Sequence, residues 1–196
     1  MSGQKQRMGC YLRQAPYLCS MKEKQLDFGD ERPRDMAQYL QYVRENRHPL
    51  SLLLDHVEDT RNLGAMFRLA DAARLEHIWA LGKPGLFESK IIRRVSRSTL
   101  PYVPHSTISY EKARELSRQY NLVALEITEN SIPYTEYEPE APCLLVIGNE
   151  KDGVSDELLG LCRQSIHIPM YGVNTSMNVA MATAIAVYGL LAKLPK

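Results

Sequence analysis

Apolar and polar positions along this chain change period repeatedly, and the changes mark its elements. Met36, Tyr39, Leu40 and Val43 recur at i, i+3, i+4 and i+7, which predicts an amphipathic helix from about Arg34 to Arg47, ended by His48-Pro49. Short apolar, β-rich runs predict strands at 50–56, 76–81, 121–127, 143–147 and 165–168. Helices are expected between and after them, near 61–74, 88–96, 110–119, 155–162 and 177–193. The run Cys143 to Ile147 shows no polar alternation and stops at Gly148, as a strand buried on both faces does. Ser155 fits the N-cap of the next helix, with Asp156 and Glu157 in the first turn, where negative charge suits the helix dipole. The last helix is too long and too apolar all round for a surface helix, so it is buried or packs on a partner. Alternating β and α elements imply an α/β fold, a mainly parallel sheet covered by helices on both faces. Residues 1–48 read as an N-terminal extension carrying the amphipathic helix, and 49–196 as the α/β domain.

Composition adds limits. The length of 196 residues suits one α/β domain plus a short extension. Four cysteines, at 10, 19, 143 and 162, form no C-x-x-C pair, so neither a zinc ribbon nor a dithiol redox site is suggested, and Cys143 reads as an inert buried thiol. The segment from Met1 to Gly9 is polar and basic with no apolar core, and no run reaches membrane-spanning length; the expectation is a cytoplasmic protein without membrane contact. A net charge of +1 is modest for a nucleic-acid binder, but its distribution is uneven. Lys90, Arg93, Arg94 and Arg97 fall at helical spacing, and Lys5, Arg7, Arg13, Lys22, Lys24, Arg32 and Arg34 precede residue 48. Such a surface could neutralise RNA phosphates or be an ordinary solvated face. Acidic residues gather instead between Glu126 and Glu140.

The candidate chemistry lies between Leu144 and Ala186, where two strands, two polar loops and a small-residue helix follow one another without spacer. The loop Gly148-Asn149-Glu150-Lys151-Asp152-Gly153 sets two glycines around a carboxylate, so its backbone can approach a ligand closely. Three motifs stand in order along the chain: Asn62-Leu63-Gly64-Ala65-Met66-Phe67-Arg68; Gly148-Asn149-Glu150 with Gly153; and Ile168-Pro169-Met170 followed by Ser176-Met177-Asn178-Val179. Together they resemble the N-x-G-x-x-x-R, G-x-E-x-x-G and I-P-M with S-L-N-V patterns of the SpoU (TrmH) family of RNA ribose 2'-O-methyltransferases, in the SPOUT superfamily. The resemblance covers about three quarters of the chain, and Met177 in place of leucine is a nearly volume-conserving departure.

That resemblance implies a C-terminal deep trefoil knot, a homodimer, and S-adenosylmethionine as cofactor, with no metal. It assigns cofactor contacts to Leu125, Gly148, Ile168 and Met177, whose apolar or glycine character suits an adenine held by backbone groups between apolar walls. Arg68, Asn62, Glu150, Ser176 and Asn178 become the catalytic set. The family role of the arginine is close to that of a general base, yet a guanidinium is effectively always protonated. Arg68 is therefore expected to bind the neighbouring phosphate and stabilise the developing alkoxide, the proton leaving through phosphate or water. Asn62 and Glu150 would organise the loops, and Ser176 and Asn178 would position RNA or the cofactor loop, a capping role for the last helix being the competing reading.

Other classes fit less well. No strand is followed by G-x-G-x-x-G, which disfavours a Rossmann-type enzyme, and neither Ser155 nor Ser176 lies in a G-x-S-x-G elbow. A non-catalytic RNA-binding or ribosome-assembly protein on the same fold is the remaining competitor. The short basic extension resembles that of relatives acting on a guanosine of the tRNA D-loop, so tRNA is expected before rRNA.

Overall fold

The computed structural model describes residues 36–195, in two units that divide after Glu45. In the first unit the described part is the helix α1 (Met36–Glu45), close to the expected span. The basic positions from Lys5 to Arg34 and the cysteines at 10 and 19 lie outside the described residues.

The second unit is built on seven strands, β1 (Leu50–Asp55), β2 (Ile78–Leu81), β3 (His105–Ile108), β4 (Asn121–Leu125), β5 (Ile132–Pro133), β6 (Cys143–Ile147) and β7 (Gln164–His167). They form one sheet in the order β3-β2-β1-β6-β4-β7-β5, with every pairing parallel. Five strands fall where the apolar runs put them. The other two, β3 and β5, are the sheet edges; their residues are at most half-buried, so they carry no apolar run to read. The central strands β1 and β6 are buried at every position, as continuous apolar runs demand of a parallel sheet covered on both sides.

Side-chain alternation along the strands divides the core in two. Leu50, Leu52, Leu54, Ile78, Ala80, Leu145 and Ile147 face one layer, packed with α2 (Thr60–Ala72), α3 (Lys90–Val95) and α6 (Val179–Leu191) through Leu63, Phe67, Ile92, Val187 and Leu190. Leu53, Leu81, Leu122, Ala124, Leu144 and Val146 face the other, under α4 (Tyr110–Leu116) and α5 (Asp156–Leu159). Helix α5 is shorter than expected, and Ser155 sits at its N-cap without making a side-chain cap bond. Helix α6 begins at Val179, two residues later than expected. Helix α6 meets the expectation of burial on one side only: Thr183, Ala186, Val187 and Leu190 are buried, whereas Met181, Ile185 and Tyr188 are exposed. Among the described residues no helix is long and apolar enough to cross a membrane. Cys143 is fully buried, and burial pushes its thiol up to about 12, in keeping with an inert role.

Gly64 shows how closely α2 and α3 approach. A Cβ there would lie 2.6 Å from Cβ of Val95. Glycine-to-alanine exchange within a helix ordinarily stabilises by about 1 kcal/mol; here the overlap reverses the sign, and Gly64→Ala lowers stability by about 1–3 kcal/mol in denaturant unfolding.

A second prediction concerns pH. His77 stacks on Trp79 at 3.7 Å between centroids and bonds Ser106 Oγ at 3.1 Å through Nε2. Burial, followed by the charges of His105 and Arg47, lowers its pKa from 6.5 to about 4. The unfolded chain takes up this proton first, so stability falls as pH drops from 6.5 towards 4 and levels off below. His77→Gln removes that component of the slope in denaturant midpoints measured across the range.

Candidate active site

Parallel pairing sets the carboxyl ends of β1, β6, β4 and β7 side by side, with Leu54 opposite Ile147, Leu125 opposite Ile147, and Leu125 opposite Ile166. Ligands in open α/β sheets bind beyond these ends. A cavity of about 490 Å³ lies there, lined by the loop after β4, the Gly148 to Gly153 loop after β6, and the segment from Ile168 to Asn178. Leu125, Ile147, Ile168, Met177, Val179 and Ala182 give it apolar walls.

The loop after β6 owes its shape to contacts that only glycine permits. Gly148 lies so close to the backbone of Gly153 and Val154 that an added Cβ would collide with it, and Gly153 has φ +70°. Asn149 and Gly153 exchange backbone bonds at 2.9 and 3.0 Å, closing the loop on itself. The Asn149 side chain donates to the carbonyl of His56 at 2.6 Å and accepts from Lys151 N–H at 2.9 Å, tying the loop to the end of β1. Val154 N–H donates to Glu126 Oε2 at 3.0 Å and Ser155 N–H to Asp55 Oδ2 at 2.8 Å.

One short chain of side chains joins all three motifs. Asn62 Nδ2 donates to Glu150 Oε1 at 2.9 Å, and Asn62 Oδ1 accepts from Asn178 Nδ2 at 3.0 Å. Asn178 Oδ1 in turn accepts from Ala180 and Met181 N–H at 3.0 and 3.2 Å, capping α6. The capping reading of Asn178 is therefore met, and the same side chain also bonds to Asn62. Ser176 lines the cavity two residues before it.

A sequence profile of the SpoU rRNA methylase family matches residues 49–188. The chain belongs to this family. A SpoU relative in Bacillus subtilis (strain 168), 23S rRNA (guanosine(2553)-2'-O)-methyltransferase RlmP, is 37% identical over 142 residues, which cover 71% of this chain and 56% of that one. The tRNA (guanosine(18)-2'-O)-methyltransferase of Aquifex aeolicus (strain VF5) is 30% identical over 153 residues, 76% of this chain and 72% of that one. This chain thus spans a little over half of the Bacillus relative and most of the Aquifex one. Among solved SpoU structures, the A. aeolicus TrmH/SpoU tRNA modifying enzyme superposes with a TM-score of 0.70 at 28% identity, covering 80% of this chain and 82% of its own. An AdoMet-bound rRNA methyltransferase from Sinorhizobium meliloti gives 0.69 at 27% identity, covering 79% and 61%.

The SpoU motifs of this chain are not all gathered at the cavity. Leu125, Gly148, Ile168, Met177, Glu150, Ser176 and Asn178 line it, and Asn62 is bonded to two of them. Arg68 does not: it is exposed on α2, six residues beyond Asn62, and therefore about 240° around the helix and ~9 Å along it. Lys90, Arg93, Arg94 and Arg97 are all exposed and none lines the cavity. They do not share one helical face as the spacing suggests, because α3 ends at Val95 and Arg97 lies beyond it with φ +48°. Sequence reasoning missed Glu126, counted with an acidic surface stretch although it lines the cavity, and Asp55, buried at the end of β1. For Asp55 the available signal was a carboxylate directly after the apolar run Leu52 to Leu54; Glu126 carried none.

Asn62 is buried whereas Glu150 and Asn178 can regain water if it is removed. Asn62→Leu should therefore lower stability by only about 1–2 kcal/mol in denaturant unfolding.

Proposed function

We propose that this protein transfers a methyl group from S-adenosylmethionine to a ribose 2'-hydroxyl of RNA, as a cytoplasmic homodimer whose C-terminal segment forms a deep trefoil knot. The observation that carries the reading is the Glu150–Asn62–Asn178 chain at the edge of the cavity. It joins one residue from each of the three SpoU motifs, two of them on the cavity wall.

The cavity fits the cofactor on its own terms. Its volume of about 490 Å³ falls within the ~300–1,000 Å³ of small-molecule sites. Leu125, Ile168 and Met177 supply apolar walls for a flat heteroaromatic ring, and Gly148 lets the loop that lines the cavity close on Gly153 and Val154. When bound, the cofactor supplies a sulfonium methyl whose carbon is attacked by the ribose 2'-oxygen as the carbon–sulfur bond breaks. Asn62, Glu150 and Asn178 hold the loops around the reacting groups, and Ser176 offers a hydroxyl to RNA. The Arg68 side chain makes no hydrogen bond or ion pair among the described residues, which leaves its guanidinium for an RNA phosphate. Because guanidinium stays protonated, the 2'-proton departs to phosphate or water rather than to Arg68. Lys90, Arg93, Arg94 and Arg97 add phosphate contacts away from the cavity. The exposed Met181, Ile185 and Tyr188 of α6 supply an apolar surface for the second subunit.

A guanosine ribose is the preferred acceptor, since the Bacillus and Aquifex relatives both carry guanosine in their names. A tRNA is favoured by the Aquifex relative, whose name gives guanosine 18 of tRNA and of which this chain spans the larger share; the 37% identity to the Bacillus relative supports rRNA as the second reading. Labelled methyl transfer to unmodified tRNA and rRNA pools separates the two. Arg68→Ala should lower transfer at least a hundredfold (~2.7 kcal/mol) while leaving S-adenosylmethionine affinity within threefold of wild type. Transfer unchanged in Arg68→Ala would remove that residue from the mechanism, and a wild-type protein that methylates neither pool would count against the enzyme reading.

A further inference from the structure

Glu126 is the first residue after β4, the strand between β6 and β7, so its side chain stands between the two loops that close the cavity. Both carboxylate oxygens are fixed: Oε1 accepts the N–H of Ile127 at 2.9 Å and Oε2 that of Val154 at 3.0 Å. Gly153 approaches Oε2 so closely that any Cβ there would displace it. The other carboxylate on the wall, Glu150, is engaged by Asn62.

A brace for two backbone N–H groups has no need of a charge. Half-buried carboxylates cost desolvation, which a neutral acceptor would avoid, and no cation pairs with Glu126 among the described residues. An ionised carboxylate accepts about four hydrogen bonds, so each oxygen keeps one direction open after the backbone is served. Two open acceptor directions, on adjacent oxygens in a rigid orientation, match two adjacent hydroxyl donors. The vicinal hydroxyls of a ribose are such a pair, and acidic side chains near strand ends take ribose hydroxyls in dinucleotide-binding folds for the same reason.

We propose that Glu126 accepts hydrogen bonds from the 2'- and 3'-hydroxyls of a nucleoside bound in this cavity, and so sets its specificity for ribose over deoxyribose. The inference rests on the reading that the cavity holds the nucleoside half of the methyl donor. Its test is calorimetric titration of the full chain with S-adenosylhomocysteine and with its 2'-deoxy and 3'-deoxy analogues, for wild type, Glu126→Ala and Glu126→Met. The methionine variant keeps the length of the side chain and removes only the acceptors, which serves if the alanine variant fails to fold.

Wild type is expected to bind each deoxy analogue about tenfold more weakly than the parent or worse, the loss of one charge-assisted hydrogen bond. The variants are expected to bind the parent more weakly by a similar factor, and their preference for it over the deoxy analogues should fall to within about twofold. If the variants weaken all three ligands equally and keep the wild-type preference, Glu126 is a brace for the loop and the proposal is overturned. It is equally overturned if wild type does not discriminate between parent and deoxy analogues, although the donor site itself then stands. Wild type that binds none of the three sinks both this inference and the assignment of the cavity.

Discussion

Two consecutive backbone N–H groups, those of Val154 and Ser155, hold this site together. They are donated in opposite directions, to Glu126 just after β4 and to Asp55 at the end of β1, and β6, which leads into their loop, lies between those two strands. Buried N–H groups must find acceptors, and among the described residues no backbone carbonyl accepts from these two. The neighbouring strands supply them instead. With its base clamped from both sides, the loop can bring Gly148 and Gly153 against each other and hold Glu150 where Asn62 reaches it. Loss of either carboxylate would leave a donor unpaired next to the cavity.

Much of this was legible in the chain. The five strands with continuous apolar runs, the helices between them and the parallel α/β arrangement follow from period and length, because burial on both faces leaves a strand no polar alternation. The two strands that escaped notice are edges. His105 to Ile108 has two hydroxyl residues at its centre, and Ile132-Pro133 is too short to show a period. The motifs fared similarly. Asn62, Glu150 and Asn178, remote in sequence, meet in one hydrogen-bonded chain, but nothing in the sequence distinguished Glu126 from the acidic residues after it. Its role depends on register, on which strand ends beside which, and register is a property of the folded sheet.

Arg68 and the basic cluster illustrate a different limit. Spacing along a chain assumes that the helix continues, and α3 does not; Arg97 leaves it in the left-handed region. In the same way a motif groups Asn62 with Arg68, while helix geometry carries them to different sides of α2. The cavity edge and the exposed arginine are thus separate surfaces of one helix, the former turned to the sheet ends and the latter to solvent. Any substrate that engages both must be large enough to span them, which an RNA is and a small metabolite is not.

Asn178 closes α6, orients Asn62 and forms part of the cavity wall. As helix caps, asparagine, aspartate and serine are nearly equivalent. Here that equivalence is broken. Aspartate would accept the two N–H groups of Ala180 and Met181 as well, but it has no N–H to give to Asn62; serine can donate, but its hydroxyl stands too near the backbone to serve both ends. A position that helix energetics alone would leave open to three residues is narrowed to one by the fact that the start of a helix and the edge of a binding site are the same atoms.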